Sequence, residues 1–300
     1  MEVSPEFQEK YKQLLLELFQ HVIEFLDSHN LKWFCCYGTL IGAVRHSGLI
    51  PWDDDVDICM PKEDFDKLVA IKDELEKDHY KFLSFSVPGY YCPHCKIIDT
   101  NTTLWENEYY PFITGVFVDI FPLLNTDISG DEAKEAFVTE KSLSGLVMRT
   151  VKRIPFNYFL KSFFVDHDWV WREYLVNKIK YPRYKNKYYL RKLQSFDSQL
   201  FQAEGENAVC PAVLEYGEKE LMKASYFSDY VKVPFEGFMV RIPVGYHEYL
   251  SQLYGDYMTP PPEEKRIPKH QYLRYYTNLK EGLSLKEVKK RIKRGERVVY

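Results

Sequence analysis

Apolar residues near the N-terminus recur at intervals of three and four, the spacing of one face of a helix. The stripe from Phe7 to Leu26 predicts an amphipathic helix over about residues 6–29. Runs rich in β-branched and aromatic residues come next, separated by turn residues, as is typical of strands. Short helices are predicted at 40–46 and after Pro61. The predicted strands are residues 31–37, 56–60, 80–87, 96–100 and 116–121.

This alternation predicts an α/β (α+β) fold, with a mixed sheet and flanking helices over residues 1–125. From 126 to 205 the pattern becomes helical and rich in aromatic residues. After it, VKVPFEGFMVRIP predicts a hairpin that turns at Glu236-Gly237. Ser284 and Glu287 predict a capping box at the start of a basic final helix. We therefore expect a core, a helical insertion at 126–205, and a C-terminal part at 206–300 that completes the site.

Composition narrows the class of protein. Hydrophobic residues make up 45% of the chain and charged residues 28%, as in ordinary globular proteins. No signal peptide and no apolar run of about 18 residues is evident, which predicts a cytoplasmic protein. The six cysteines are then expected as reduced thiols. Cys92 and Cys95 form a single CxxC; zinc binding and simple packing beside a strand both remain open.

The net charge of −4 hides a basic segment. Residues 149–192 contain twelve Lys or Arg and three Asp or Glu, and many aromatic residues lie among them. Such a mixture suits an anionic membrane surface or a phosphate-bearing partner, because charge attracts the segment and aromatic rings settle at an interface. A helical subdomain with a solvated basic face is the alternative. The segment contains no recognisable nucleic-acid-binding module, so no nucleic acid template is expected.

The stretch WDDDVD is the densest group of acids in the chain. On a strand, side chains alternate, so Asp53, Asp55 and Asp57 are predicted on one face and Asp54 on the other. Carboxylates that converge repel each other unless they share a hard divalent cation, which prefers oxygen ligands. We therefore predict a Mg²⁺ (or Mn²⁺) site, with Asp55 and Asp57 as ligands and Asp53 in support.

Two further features agree with this prediction. Gly38 and Thr39 lie where a strand gives way to a helix, and free N–H groups at such a turn suit a phosphate. Asp119 is the one acid within the apolar strand GVFVDIF, where an unpaired carboxylate would be costly, so it is predicted as the third site residue, a metal ligand or a base. The layout is similar to that of the nucleotidyltransferase fold. A polar turn at 53–57 with no catalytic role is the alternative.

Long stretches of the chain resemble the LicD family, which is related to fukutin and fukutin-related phosphoribitol transferases. The resemblance is carried by YGTLIGAVRHSGLIPWDDDVDICMPKEDFDKL, KIIDTNTT, GVFVDIFPL, VPFEGFMVRIPVGYHEYLSQLYGDYMTPPP and KRIPKH. It implies transfer of phosphocholine, or a related phospho-alcohol, from a CDP-activated donor such as CDP-choline. The implied acceptor is a sugar hydroxyl of a lipid-linked or polymeric glycan precursor, of the teichoic acid or lipopolysaccharide type, and CMP is released.

The resemblance also implies roles for single residues. Asp55 and Asp57 match the metal pair, and Gly38 and Thr39 match the phosphate-binding turn. Arg45 and His270 match a basic residue after the short helix and a histidine after the Pro-rich turn. Together with Asp119, they complete the expected catalytic set. An acceptor linked to a lipid implies peripheral contact with the inner face of the plasma membrane.

A choline group is best held by aromatic faces, and 24 Tyr and 20 Phe are available. A CDP-ribitol donor would instead need polar partners. Two other functions stay open: a template-free nucleotidyltransferase acting on RNA or a small molecule, and a non-catalytic scaffold. The aromatic candidates near the matched motifs are Tyr37, Trp105, Tyr109, Tyr110, Tyr254 and Tyr257.

Overall fold

The chain folds around one mixed sheet. Its computed structural model describes residues 4–200, 205–210, 216–267 and 275–300. The helices of these ranges are α1 (Pro5–Ser28), α2 (Tyr37–His46), α3 (Lys62–Leu75), α4 (Gly130–Val151), α5 (Phe156–Lys161), α6 (Val170–Lys180), α7 (Asn186–Leu200), α8 (Tyr246–Tyr254) and α9 (Leu285–Lys293).

The five predicted strands and the predicted hairpin are present, although several strands are shorter than the apolar runs that contain them, and five further short strands of the described ranges were not predicted. In chain order the strands are β1 (Phe34–Cys35), β2 (Asp57–Pro61), β3 (Tyr80–Leu83), β4 (Cys95–Asp99), β5 (Thr103–Trp105), β6 (Phe117–Thr126), β7 (Asn207–Val209), β8 (Met222–Lys223), β9 (Tyr230–Phe235), β10 (Phe238–Pro243), β11 (Tyr276–Asn278) and β12 (Val298–Val299).

The main sheet has the order β1-β2-β6-β4-β3, and β7 and β8 extend it beyond the far end of β6. β2 and β6 are parallel, whereas β6 and β4 are antiparallel, so the sheet is mixed as predicted. β6 is the centre of this arrangement because it pairs with β2, β4 and β7. The mixed α/β class expected from the sequence is confirmed.

Helix α1 covers the sheet with the apolar stripe seen in the sequence. Ser4 caps the helix by accepting a hydrogen bond from the Phe7 N–H (3.2 Å), and Pro5 occupies its first turn, where no donor is needed. Leu15, Phe19 and Val22 are fully buried and belong to the main hydrophobic cluster. Burial of this face stabilises α1 far more than its intrinsic propensity does.

The C-terminal part contributes a hairpin and closes a second small sheet. β9 and β10 form the predicted hairpin, and both turn residues, Glu236 and Gly237, have positive φ angles. β11 pairs with β5 and β12, so the end of the chain packs against the core. The predicted capping box at Ser284 and Glu287 is present at the start of α9.

The helical insertion leaves the sheet after β6 and returns to it at β7. Helices α4 and α7 pack on each other, and Ala133, Ala136 and Phe137 of α4 form a second apolar cluster with Leu124 of β6. Helices α5 and α6 lie further out. In the described ranges no helix is long and apolar enough to cross a bilayer.

Candidate active site

The register of two parallel strands creates the acidic centre. Asp57 begins β2, and its partner in β6 is Asp119. Asp55, two residues earlier, joins them: one oxygen from each of these three carboxylates lies within 4.8 Å of the other two. The convergence predicted for Asp55, Asp57 and Asp119 is therefore observed.

The path of residues 53–56 differs from the prediction. Strand β2 begins only at Asp57, so the preceding residues do not alternate between two faces of a sheet. Asp53, Asp54 and Asp55 instead bring carboxylate oxygens within 4.8 Å of one another, and Asp54 is buried. The prediction that Asp54 faces away was wrong, because a loop is free to turn successive side chains inward. We call Asp53, Asp54, Asp55, Asp57 and Asp119 the acidic cluster.

Gly38 and Thr39 position this cluster. Both belong to the first turn of α2, which begins three residues earlier than predicted. A Cβ atom on Gly38 would lie 2.6 Å from Oδ2 of Asp53, so any other residue at this position would displace that carboxylate from its place beside the helix N-terminus. The Thr39 hydroxyl accepts a hydrogen bond from the Asp57 N–H (2.8 Å) and so ties α2 to the start of β2. Phosphate binding by this turn stays a prediction.

Lys96 and His94 are the partners of Asp119. Lys96 of β4 is the register partner of Asp119, and its Nζ lies 2.9 Å from Oδ1. His94 Nε2 lies 3.2 Å from the same oxygen. Lys96 is itself buried, with its ammonium over the ring of Phe117. The buried charge of Asp119 is thereby compensated.

The two facing aspartates therefore have opposite electrostatics. Burial and the nearby Asp55, Asp119 and Asp53 carboxylates raise the pKa of Asp57 well above its ordinary value. Burial alone would raise the pKa of Asp119 too, but Lys96 and His94 outweigh it and lower the pKa below the ordinary value. A cluster in which one acid is charged and its neighbour resists ionisation is poised to gain from a divalent cation.

Sequence reasoning missed Lys96 and His94, although a signal for Lys96 exists. Lys96 is the lone cation in the strand CKIID, beside the apolar residues Cys95, Ile97 and Ile98, as Asp119 is the lone acid in its strand. Opposite single charges inside two apolar strands suggest that the strands pair with those residues face to face. His94 precedes the strand and carries no comparable signal.

Arg45 lies at the end of α2 beside a second arginine. Its guanidinium donates to the carbonyl oxygen of Tyr257 (2.7 Å) and to Nε2 of His46 (2.9 Å). Burial and the neighbouring Arg266 lower the pKa of Arg45. Arg266 lies over the ring of Trp52, the residue before the acidic loop. Arg266 therefore contacts the residue that precedes the acidic loop, and its charge acts on Arg45.

The predicted aromatic candidates have different surroundings. Burial, the neighbouring Tyr216 and the Asp57 carboxylate raise the pKa of Tyr254. Its ring meets that of Tyr216 edge to face, 5.2 Å between centroids. Tyr110 stacks on Tyr91 at 4.1 Å, and Tyr109 contacts Tyr158 of the insertion.

Three of the candidates serve the core instead. The Tyr37 hydroxyl donates to Glu220, and its ring packs against other buried rings. Trp105 belongs to the apolar cluster around β11 and donates from Nε1 to the carbonyl oxygen of Tyr110. Tyr257 is buried and hydrogen-bonded to His247. These side chains present little free aromatic face.

The remaining candidates are a histidine and two thiols. His270 lies outside the described residues. Burial raises the pKa of the Cys92 and Cys95 thiols to about 12, and both cysteines are free. The groupings of potential metal ligands found among the described residues consist of aspartates, so the CxxC gains no further ligand there.

Comparison with known proteins shows what the chain is similar to. Residues 30–156 match the family model described as LicD/FKTN/FKRP, nucleotidyltransferase domain, a range that contains the whole acidic cluster. Lipopolysaccharide cholinephosphotransferase LicD of Haemophilus influenzae is 29% identical over 265 residues, which cover 85% of this chain and 92% of that protein.

Two shorter matches are uncharacterized proteins of Rickettsia. One, from Rickettsia prowazekii, is 42% identical over 66 residues, 22% of this chain and 25% of that protein. The other, from Rickettsia typhi, is 46% identical over 56 residues, 19% of this chain and 18% of that protein. Residues 30–156 are therefore similar to the LicD/FKTN/FKRP nucleotidyltransferase domain, and most of the chain is similar to a LicD cholinephosphotransferase.

Proposed function

We propose that this protein transfers phosphocholine from CDP-choline to a sugar hydroxyl of a lipopolysaccharide-type glycan precursor and releases CMP. The observation that carries the proposal is the convergence of Asp55, Asp57 and Asp119 inside the matched domain. The similarity to a lipopolysaccharide cholinephosphotransferase over 85% of the chain supports the transferred group and the class of acceptor.

The acidic cluster fits a divalent cation such as Mg²⁺ or Mn²⁺. Asp55, Asp57 and Asp119 offer hard oxygen ligands within 4.8 Å of one another, and the raised pKa of Asp57 reflects repulsion that a cation would relieve. Asp53 and Asp54 add charge around them. When bound, the ion would neutralise the diphosphate and so stabilise the leaving CMP. The ion pair with Lys96 supports a role for Asp119 as a permanently ionised ligand.

The transfer itself needs the acceptor and donor held in line. The acceptor oxygen forms a bond to the β-phosphorus as the bond from that phosphorus to the CMP oxygen breaks. The hydroxyl proton goes to a base, and this role is proposed for His94, whose Nε2 lies 3.2 Å from Oδ1 of Asp119. Most of the rate enhancement then comes from positioning and from charge neutralisation.

Arg45 and Arg266 support binding of the donor phosphates. Guanidinium groups form bidentate contacts with phosphate oxygens, and two of them close together favour a group with several negative charges. Arg45 is held by the Tyr257 carbonyl oxygen, which orients its guanidinium. These two arginines are therefore proposed to hold the diphosphate.

Tyr254 and Tyr216 are proposed to hold the trimethylammonium group of the donor. They form an aromatic pair, and aromatic faces attract a quaternary ammonium without hydrogen bonds. CDP-ribitol, whose hydroxyls require polar partners, should bind more weakly to such a pair. The alternative is that the natural donor carries a phospho-alcohol other than phosphocholine. A comparison of turnover with different CDP-alcohols would show this.

The test is release of CMP from CDP-choline with Mg²⁺, followed with and without a chelator. Asp55→Asn and Asp57→Asn should each lower turnover by about 10³-fold or more, the scale of losing one essential electrostatic group. Asp73→Asn is the matched control, because Asp73 is an exposed acid on α3. His94→Gln should lower turnover while CDP-choline still binds.

Several outcomes would overturn the proposal. Full CMP release by Asp57→Asn, or by the parent protein in the presence of a chelator, would show that the activity does not depend on a metal at the acidic cluster. Pyrophosphate release from CTP, with no CMP released from CDP-choline, would favour the template-free nucleotidyltransferase. Faster turnover of CDP-ribitol than of CDP-choline would change the donor.

A further inference from the structure

Helices α5 and α6 form an outlying hairpin whose apolar side chains are uncovered. We call residues 156–180 the aromatic hairpin. Phe164 and Trp169 are 67% and 61% exposed, and Ile179 is 76% exposed. Helix α5 has no buried residue, and α6 buries only Asn177. Soluble surfaces seldom leave contiguous apolar groups uncovered unless they bind something.

The aromatic side chains of the hairpin form one continuous ridge, in which some rings are exposed and others half-buried. Phe156 and Phe159 of α5 stack with centroids 5.6 Å apart, and Phe159 stacks on Phe163 of the following turn at 6.0 Å. Phe163 then meets Trp171 of α6 edge to face at 5.5 Å. The ridge ends in Phe163, Phe164 and Val165, three successive exposed apolar residues in a single π-helical turn.

The π-helical turn is held in place by polar contacts at its base. The buried Ser162 hydroxyl donates to the carboxylate of Asp168 and accepts from the Trp171 N–H (2.9 Å). Asp168 also accepts from the Val170 N–H (2.9 Å). These bonds join the turn to the start of α6, so Phe164 and Val165 are presented outward by a fixed scaffold.

Most of the cations near the ridge flank the hairpin. The 149–192 segment has a net charge of +9, whereas residues 156–180 alone contain four Lys or Arg and three Asp or Glu. Many of the cations are exposed to solvent. Lys178 and Arg172 lie over neighbouring aromatic rings, which keeps their charges beside the apolar surface. The exposed cations on or next to the hairpin are Lys161, Arg172, Lys178, Lys180, Arg183 and Lys187.

We propose that the aromatic hairpin docks on the surface of an anionic lipid bilayer. Aromatic side chains partition into the boundary between headgroups and acyl chains, and each cation near the surface adds attraction to acidic lipids. A hydrated polyanion would use the cations but would offer nothing to Phe164 and Val165. A protein partner would need a surface that is both acidic and apolar and that fits the hairpin in shape. An anionic bilayer offers acidic headgroups and apolar chains without any such fit.

The hairpin is connected to the candidate active site. Tyr158 of α5 contacts Tyr109 and donates to Glu108 (2.7 Å), and the Arg153 N–H donates to the Tyr109 carbonyl oxygen (2.6 Å). The same loop contacts Tyr91, near the strand that carries Lys96. Docking would bring the site toward a lipid-linked acceptor. That benefit rests on the proposed function, but docking itself does not require catalysis.

The test is flotation of the full chain with phosphatidylcholine vesicles that contain 0% or about 30% phosphatidylglycerol. The double variant Phe164→Ser with Val165→Ser should lose about ten-fold or more in partitioning, since two exposed apolar side chains are removed. Val138→Ser and Val231→Ser are matched controls, because both valines are exposed elsewhere. They should leave partitioning unchanged.

A charge series separates lipid docking from simple basicity. Lys178→Glu with Lys180→Glu should lower partitioning at least ten-fold on acidic vesicles. Lys286→Glu with Lys290→Glu on α9 is the control, since that helix is basic but lies outside the hairpin. CMP release from free CDP-choline should stay unchanged in all these variants, so failure of docking and failure of catalysis can be told apart.

Three results would overturn the proposal. The first is partitioning into vesicles that is the same with and without phosphatidylglycerol and is unchanged by the Phe164 and Val165 substitutions. The second is equal loss in the α9 control. The third is retention on immobilised polyphosphate or by an acidic protein, with no flotation on either vesicle, which would assign the hairpin to a different partner.

Discussion

Asp119 of the sheet core and Glu140 of the helical insertion are both buried acids, but their surroundings shift their pKa values in opposite directions. In the core, Asp119 is buried with Lys96 and His94 against it, and its pKa is lowered. In the insertion, Glu140 of α4 is buried with a hydrogen bond from the Ser144 hydroxyl (3.0 Å), and burial raises its pKa to about 8.

This difference is informative because the insertion has cations in excess. The core places a cation inside, at the cost of desolvating it, and keeps an ionised carboxylate where a ligand can use it. The insertion sends its cations outward and leaves its buried acid neutral. The core thus contains a charged pair, Asp119 with Lys96, in its interior, whereas the insertion has its charged side chains mainly on its surface.

The largest effect should come from removing the core's internal cation. Lys96→Met leaves Asp119 buried without its main partner, which should lower the free energy of unfolding by about 3–5 kcal/mol. Urea unfolding monitored by circular dichroism measures it. Lys81→Met is the control, because Lys81 is exposed on β3 of the same sheet and should change stability by less than about 0.5 kcal/mol. A loss below about 1 kcal/mol for Lys96→Met would show that Asp119 does not depend on it.

A smaller effect, of opposite sign, should come from the insertion. The pKa of Glu140 rises from 4.5 to about 8 on folding. Between these values the folded state holds a proton that the unfolded state has released, so this residue makes stability fall as pH rises. Glu140→Gln cannot ionise, and at pH 9 it should be more stable than the parent by about 1–3 kcal/mol.

Unfolding in urea at pH 5, 7 and 9 gives the required curves. The gain in Glu140→Gln should be small at pH 5 and should grow with pH. Glu135→Gln, an exposed residue of the same helix, should run parallel to the parent. If the gain in the free energy of unfolding for Glu140→Gln were the same at pH 5, 7 and 9, Glu140 would not be a buried acid that is protonated in the folded state.

The smallest effect concerns the shape of the core site. Gly38→Ala should change stability little, since the gain in helix propensity offsets the contact with Asp53. Turnover of CDP-choline should fall by about ten-fold, because the Asp53 carboxylate must move. Gly145→Ala in α4 is the control: a Cβ there meets nothing within 4 Å, so turnover should be unchanged. Parent-like turnover in Gly38→Ala would mean that the position of Asp53 does not matter.

The sequence predicted the order of elements and the meeting of Asp55, Asp57 and Asp119. Apolar periodicity identifies helices and strands, and lone acids in or beside apolar strands mark the site. It could not predict that Asp54 turns inward, since a loop has no fixed period. Nor could it locate Tyr37, Trp105 and Tyr257 in the core, because aromatic composition says nothing about which ring keeps a free face.

The parallel pairing of Asp57 with Asp119 makes the site a property of strand register. A slip of β6 by one residue would turn Asp119 to the other side of the sheet and bring Val118 or Ile120 opposite Asp57. Insertions within β2 or β6 should therefore abolish the site even where the sheet survives. The connections between them can change in length without moving either acid, so descendants of this chain are free to diversify in the loops and bound to conserve the spacing within these two strands.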